Sequence, residues 1–549
     1  MDTQRFILIL ALSLVSLMLW QEWQQDYGAV PTGAGHQEAA TPAEDPGIPQ
    51  LKPDEMAVPQ VPGAGAPAAA GAVVTVETDV LRLKIDQGGT IVFAELLDYP
   101  VSLAQKDQPF VLLDNSASLY HVIQSGIVGE SAPTHKAVFS AAQQNYTLGA
   151  GQQTLEVPLR WTAEDGVTVT RMFVFARGSY RVYLKYLVDN GSDSAWEGRQ
   201  YTQLKRDDPS REGRRLIYTY TGAVLSSPDN RYEKISFGDM EDQDADAQIS
   251  NGWAAMIQHY FLTAILPSDI EATYRYYTRT FPSGYYSIGS VSPALRLDPG
   301  QQGELTGYVY IGPKVQSVLE TLADKLELTV DYGMLWFLAK PLFWCLERLH
   351  GLTGNWGWSI ILVTILLKLL FYHLSAAGYR SMANMRRVQP RLLAIRERHK
   401  DDRARLNQAM MQIYKEEKIN PLGGCFPILV QIPVFLALYW VLLESVEMRQ
   451  ADFIFWLKDL SSKDPFFVLP IIMGATMLIQ QKLNPAPMDP MQEKVMKALP
   501  FVFTIFFAFF PSGLVLYWVT NNVLSIAQQW LIMRRLEQEG IAAGSSSSR

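Results

Sequence analysis

The sequence predicts a multi-domain membrane protein: an N-terminal anchor helix, a large antiparallel β-sandwich, and an α-helical core of five transmembrane helices. Three observations predict it. An apolar run opens the chain, alternating apolar and polar residues fill its middle, and apolar stretches of membrane-spanning length fill its last third. At 549 residues the chain is too long for one compact core. Its mean hydropathy, near zero, averages a polar part with a very apolar one. A net charge of −8 and the lack of any RNA- or DNA-reading motif argue against a direct nucleic-acid partner. The two cysteines, Cys345 and Cys425, stand apart near apolar stretches, so no zinc site is implied and the middle region folds without disulfides.

The elements follow in order. Arg5 precedes the apolar run 6–20, and Trp20-Gln21-Glu22-Trp23 follows it without a small-residue cleavage site. This reads as an uncleaved signal anchor, with a cleaved signal as the alternative. Residues 28–72 are rich in Pro, Ala and Gly and read as a linker. Alternation begins at Val74, as in Leu81-Arg82-Leu83-Lys84-Ile85, and recurs on both sides of a hairpin loop at Arg177-Gly178-Ser179. No long amphipathic helix interrupts this region, which predicts the sandwich. The acidic run 239–246 lacks the glycine and spacing of a calcium loop and reads as a solvated loop. Residues 332–350 are apolar but carry Lys340, Pro341, Glu347 and Arg348, which suits an interfacial helix. Spans are predicted at 356–374, 425–443 and 466–479, and two more at 499–533, divided by a tight turn at Pro511-Ser512-Gly513.

Basic residues set the orientation. Between 376 and 422 lie eleven Lys or Arg against five acids, which holds that loop in the cytoplasm. The sandwich is then periplasmic, and the N-terminus, Lys482, Lys494, Lys497, Arg534 and Arg535 are cytoplasmic. The predicted domains are therefore an anchor (1–26), a linker (27–73), a sandwich (74–330), an interfacial helix (331–350), a core (351–535) with a cytoplasmic helical hairpin (376–422), and a tail (536–549).

The sharpest candidate for function is Lys368, inside the first core span. A cation there costs about 2.5–3.5 kcal/mol, which implies a use or an aqueous cavity, unless it snorkels to the interface. Thr364, Lys368, Tyr372 and Ser375 share helical spacing, as do Tyr517, Asn521, Ser525 and Gln528, with Asn522 adjacent. Gln431, Thr476 and Gln480 add polar groups on other spans. Two such stripes are satisfied either by facing a shared cavity or by pairing as glue between helices. In the hairpin, Gln389-Pro390 is expected to open one helix, with Leu392, Leu393 and Ile395 on its apolar face. Leu406, Met410, Ile413 and Tyr414 stripe the second helix, and Arg391 and Arg396 contribute to the charged exterior. Met382, Met385, Met410 and Met411 offer either an adaptable surface for apolar peptides or plain hairpin core. Gly378 and Gly423-Gly424 supply polar joints to the spans. No catalytic motif, metal site or cofactor site is visible, and His373 reads as interfacial.

These motifs carry a resemblance. Asn420-Pro421-Leu422-Gly423-Gly424-Cys425-Phe426-Pro427 with Gln431-Ile432-Pro433, Phe510-Pro511-Ser512-Gly513-Leu514-Val515-Leu516-Tyr517-Trp518, Asp489-Pro490-Met491-Gln492 and Gly252-Trp253-Ala254-Ala255-Met256 resemble the YidC/Oxa/Alb insertase family, in its Gram-negative long form. The resemblance covers nearly the whole chain except the linker. It implies a membrane protein insertase and chaperone of the bacterial inner membrane, without enzymatic turnover. Its groove is open to cytoplasm and lipid and takes up a client's hydrophilic tail. The groove residues carried over are Lys368, Thr364, Gln431, Tyr517, Trp518, Asn521 and Ser525. The implied partners are nascent membrane proteins, the lipid bilayer, the Sec translocon with its SecDF subunits, and translating ribosomes. The family usually has Arg where this chain has Lys368, and the tail after Arg535 is short and Ser-rich rather than strongly basic. Two other classes remain on sequence grounds: a transporter or channel, and a membrane-tethered periplasmic carbohydrate-binding protein. The first calls for internal repeats, and the second leaves Lys368 and the basic hairpin without a use.

Overall fold

The computed structural model describes residues 48–49, 73–116, 119–209, 219–399, 402–417, 426–484 and 490–546. The expected anchor, most of the linker, Cys425 and the 420–425 motif lie outside them.

Two sheets, of eleven and nine strands among the described residues, form the N-terminal part. The alternation in Val167–Ala176 buries every second residue. This strand pairs antiparallel with Arg181–Asn190, from Val182↔Phe175 to Asn190↔Val167. Gly178, at φ 67°, supplies the left-handed residue of the connecting turn. The facing sides pack Leu81, Leu83 and Ile91 of the first sheet against Phe173, Val182 and Val309 of the second. One strand pair departs from the antiparallel expectation: Val74–Glu77 pairs parallel with Asn145–Thr147 at the sheet's edge, after a long excursion that makes a parallel return feasible.

The acidic run is also more ordered than expected. Helix α1 (Phe237–Asp242) starts just before it and covers its first four residues, because Ser236 and Asp239 satisfy each other's backbone donors in a capping box. Asp246 pairs with Arg275 at 2.9 Å.

After the last long strand, Gln302–Pro313, come α2 (Gln316–Leu322), two short 3-10 turns, and α3 (Trp336–Thr353). Helix α3 buries Ala339, Phe343 and Leu346 and exposes Trp336, Phe337 and Trp344. It ends at Gly354 (φ 65°), and Asn355 then caps α4 (Trp356–Leu370) by accepting from the Trp358 N–H at 3.2 Å. The remaining helices are α5 (Tyr372–Arg398), α6 (Arg403–Glu416), α7 (Phe426–Glu444), α8 (Val468–Leu483), α9 (Pro490–Phe507) and α10 (Ser512–Ser546).

The structure corrects three helix boundaries. The span expected at 356–374 ends at Leu370, and the chain bends by 68° into α5. The bend falls at Phe371, with no Pro or Gly to announce it. Hydrogen bonding resumes at once, because Ser375 N–H donates to Phe371 O at 3.0 Å. Pro390 does not open a helix; it lies within α5. The segment after Arg535 continues helically to Ser546. Among the described residues no single helix is long and apolar enough to cross a membrane alone; the bent α4–α5 pair meets the criterion together.

Candidate functional site

Four helices meet around Lys368. Helix α10 packs against α4, α5, α7 and α8. On the side toward α4, α5 and α7 they leave a cavity of about 400 Å³, its open mouth included, lined by Thr364, Lys368, Phe371, Ser375, Gln431, Val434, Tyr517 and Asn521 among others. Lys368 is half-buried and donates to Ser525 Oγ at 2.7 Å. The Ser525 hydroxyl in turn donates to Asn521 O at 2.7 Å. Gln431 Nε2 donates to Asn521 Oδ1, and Tyr517 lies in the same wall. The Thr364 hydroxyl turns back to Ile360 O at 2.6 Å, so it shapes the wall without holding the ammonium. Among the described residues lining the cavity, Lys368 is the only charged one.

The structure sorts the sequence candidates. Lys368, Thr364, Ser375, Gln431, Tyr517 and Asn521 come together, and Ser525 joins through Lys368. Trp518 lies away from the cavity, packed edge-on against Phe435 (4.7 Å between ring centroids) and beside Phe507, because successive helix positions are turned by about 100°. Tyr372 follows the bend and does not line the cavity; its ring meets His373 edge-on and its carbonyl accepts from Gln528 at 3.3 Å. The polar groups toward α8 serve as glue: Asn522 donates to Thr476 Oγ1 at 3.1 Å, and Gln529 donates to Asn484 Oδ1 at 3.0 Å. Polar groups thus line the cavity on one side of α10 and pair between helices on the other. Sequence reasoning missed Tyr379, which approaches Ser525 from α5. Its spacing of four from Ser375 was the available signal.

The hairpin is a separate element. Val388, Leu392 and Ile413 form a small core, with Met385, Ile395, Met410 and Tyr414 packed on it. Met410 and Tyr414 are therefore hairpin core, whereas Met411 is exposed. Arg391 pairs with Glu417 at 2.7 Å, and Arg396 is half-buried. Asp402 caps α6 through the N–H groups of Ala404 and Arg405. Gly378 is buried inside α5 and is not a joint; Gly423-Gly424 lie outside the described residues.

The chain thus joins a large β-sandwich to a bundle of apolar helices, with one cation in a cavity that opens beside them. Comparison gives the family. Residues 73–345 match the family model described as YidC periplasmic domain, and residues 348–539 that of the 60Kd inner membrane protein. The membrane protein insertase YidC of Thioalkalivibrio sulfidiphilus (strain HL-EbGR7) is 51% identical, over 98% of this chain and 100% of that one. That of Methylococcus capsulatus (strain ATCC 33009 / NCIMB 11132 / Bath) is 49% identical, over 98% and 99%. A solved structure of an active YidC insertase, with its first transmembrane domain resolved, is 18% identical over 84% of this chain and 92% of its own, at a TM-score of 0.39. The chain belongs to the YidC family of membrane protein insertases.

Proposed function

We propose that this chain inserts membrane proteins into the inner membrane and assists their folding, by taking a client's polar segment into the cavity around Lys368 while apolar segments pass to lipid. The observation that carries this is the cavity itself: a half-buried ammonium bonded to the Ser525 hydroxyl of a facing helix, with the Gln431 and Asn521 amides in the same wall, beside exposed apolar surface such as Leu366, Leu369 and Leu370. Such a site lowers the cost of bringing polar chain to membrane depth, because it replaces lost hydration with fixed donors. It binds and releases; no bond is made or broken.

In this reading the core is five spans behind an N-terminal anchor, with the hairpin and N-terminus cytoplasmic and the sandwich periplasmic, following the distribution of basic residues. The domains divide at 26, 73, 330, 350 and 535, and the cytoplasmic hairpin occupies 376–422. Clients arrive from translating ribosomes, either directly or through the Sec translocon with SecDF. The cytoplasmic hairpin, with Arg391, Arg396 and exposed Met411 at its surface, makes the first contact. The test is site-specific photocrosslinking from position 368 or 517 during synthesis of a small membrane protein. Adducts with the nascent chain are expected at both positions. Adducts with lipid alone would refute the reading.

A further inference from the structure

The outward face of the second sheet is not a free surface. Trp253, Ile257 and Tyr310 on that face share one hydrophobic cluster with Leu326 and Tyr332, and that cluster continues into Leu438 of α7. In the other direction Val446, just past α7, belongs to the sandwich's own core. A polar seam crosses the same boundary. Lys314 Nζ, one residue beyond the strand Gln302–Pro313, lies 3.4 Å from Glu444 Oε2 at the end of α7, with the two side chains 1% and 4% exposed. Lys314 also donates to Thr329 O at 3.1 Å. Beside this pair, His259 Nε2 lies 2.8 Å from the Leu443 carbonyl as its donor, and Arg449 donates to Pro100 O at 2.6 Å.

We propose that the sandwich is a fixed brace for one end of α7, and that Lys314 is the positioning residue that sets α7 against it. A buried ion pair adds little net stability, because desolvation offsets the Coulomb attraction, but either charge alone is stranded, so the pair enforces one register. Helix α7 carries this register to the cavity. Gln431 lies thirteen residues from Glu444 on the same helix, about 20 Å away at ~1.5 Å per residue. A tilt of α7 therefore moves Gln431 away from Asn521. The consequence for insertion rests on the function proposed above; the brace itself does not.

The test uses the full chain in lipid vesicles, with Cys345 and Cys425 replaced by serine and spin labels at Glu164→Cys and Leu352→Cys. The unaltered seam is expected to give one narrow distance distribution. Lys314→Met is expected to broaden it and to slow insertion of a small client about tenfold. Lys314→Met with Glu444→Leu, which removes both charges at similar volume, is expected to restore the narrow distribution and most of the rate. If Lys314→Met does not fold, Glu444→Gln provides the same comparison. A broad distribution with the seam intact, or an unchanged one in the single variants, overturns the proposal. A chain that inserts nothing yet keeps the narrow distribution refutes the insertase reading and leaves the brace standing.

Discussion

Lys368 owes its place to two neighbours that the spacing rule alone does not supply, Ser525 on α10 and the bend after Leu370. The hydroxyl at 2.7 Å holds the ammonium toward the cavity rather than letting it run along the lipid face. If the charge attracts acidic client tails, Lys368→Arg keeps function while Lys368→Ala slows an acidic tail about tenfold, or ~1.4 kcal/mol. Lys368→Glu is expected to be worse, through like-charge repulsion. The measurement is translocation of an acidic N-terminal tail in vesicles beside a neutralised one; equal losses would assign Lys368 a structural role. A second residue-scale prediction concerns Glu447, in the turn after α7. Burial pushes its carboxyl up to about 7, helped by Glu347 and opposed by hydrogen bonds from its own backbone and from the Gln316 N–H. A raised carboxyl favours the folded state while protonated. Its contribution is complete below the unfolded value of 4.5, and it is lost as pH rises toward about 7. Glu447→Gln should therefore raise the thermal midpoint at pH 8 more than at pH 5. A gain independent of pH would contradict this.

At the scale of elements, the hairpin and the bend belong together. Helix α5 begins in the cavity wall with Leu374 and Ser375 and runs unbroken through Pro390 to Arg398. The hairpin tip is thus mechanically continuous with the site. Proline at position 390 removes one N–H and was expected to mark a helix start; packing of Val388 and Leu392 on both sides carries the helix through it. Leu392→Ala should cost the hairpin about 2–4 kcal/mol, because this small core has little else to close the gap. Faster proteolysis of 390–417 and slower client capture are expected together. Faster proteolysis with unchanged capture would make the hairpin a passive connector.

For the whole molecule, the separation of parts along the chain suggests that the sandwich is dispensable, since the cavity and the hairpin lie on other segments. The seam at Lys314 changes that expectation. A chain lacking 74–324 also lacks Lys314 and α2, and leaves Glu444 buried without its cation. A chain lacking 74–312 keeps the Lys314 side of the pair. Growth of cells depleted of the native protein should be restored better by the second deletion than by the first. Equal rescue would show that the helical core holds α7 unaided.

Local composition and periodicity determined a β-rich region followed by an apolar helical one, the alternation that became the strands, and the polar faces of α4 and α10; the quoted motifs carried the family resemblance. Those signals are local: a period of two or 3.6 and a capping residue act within a few positions. Only the tertiary structure decided which side of α10 faces the cavity, that Trp518 turns away while Tyr379 joins, and that α4 stops at Leu370. Ser525 sits 157 residues from Lys368, and Glu444 sits 130 from Lys314. Contacts so distant leave no periodic trace, because each residue's own neighbours satisfy the same helix or strand whichever partner lies across the gap.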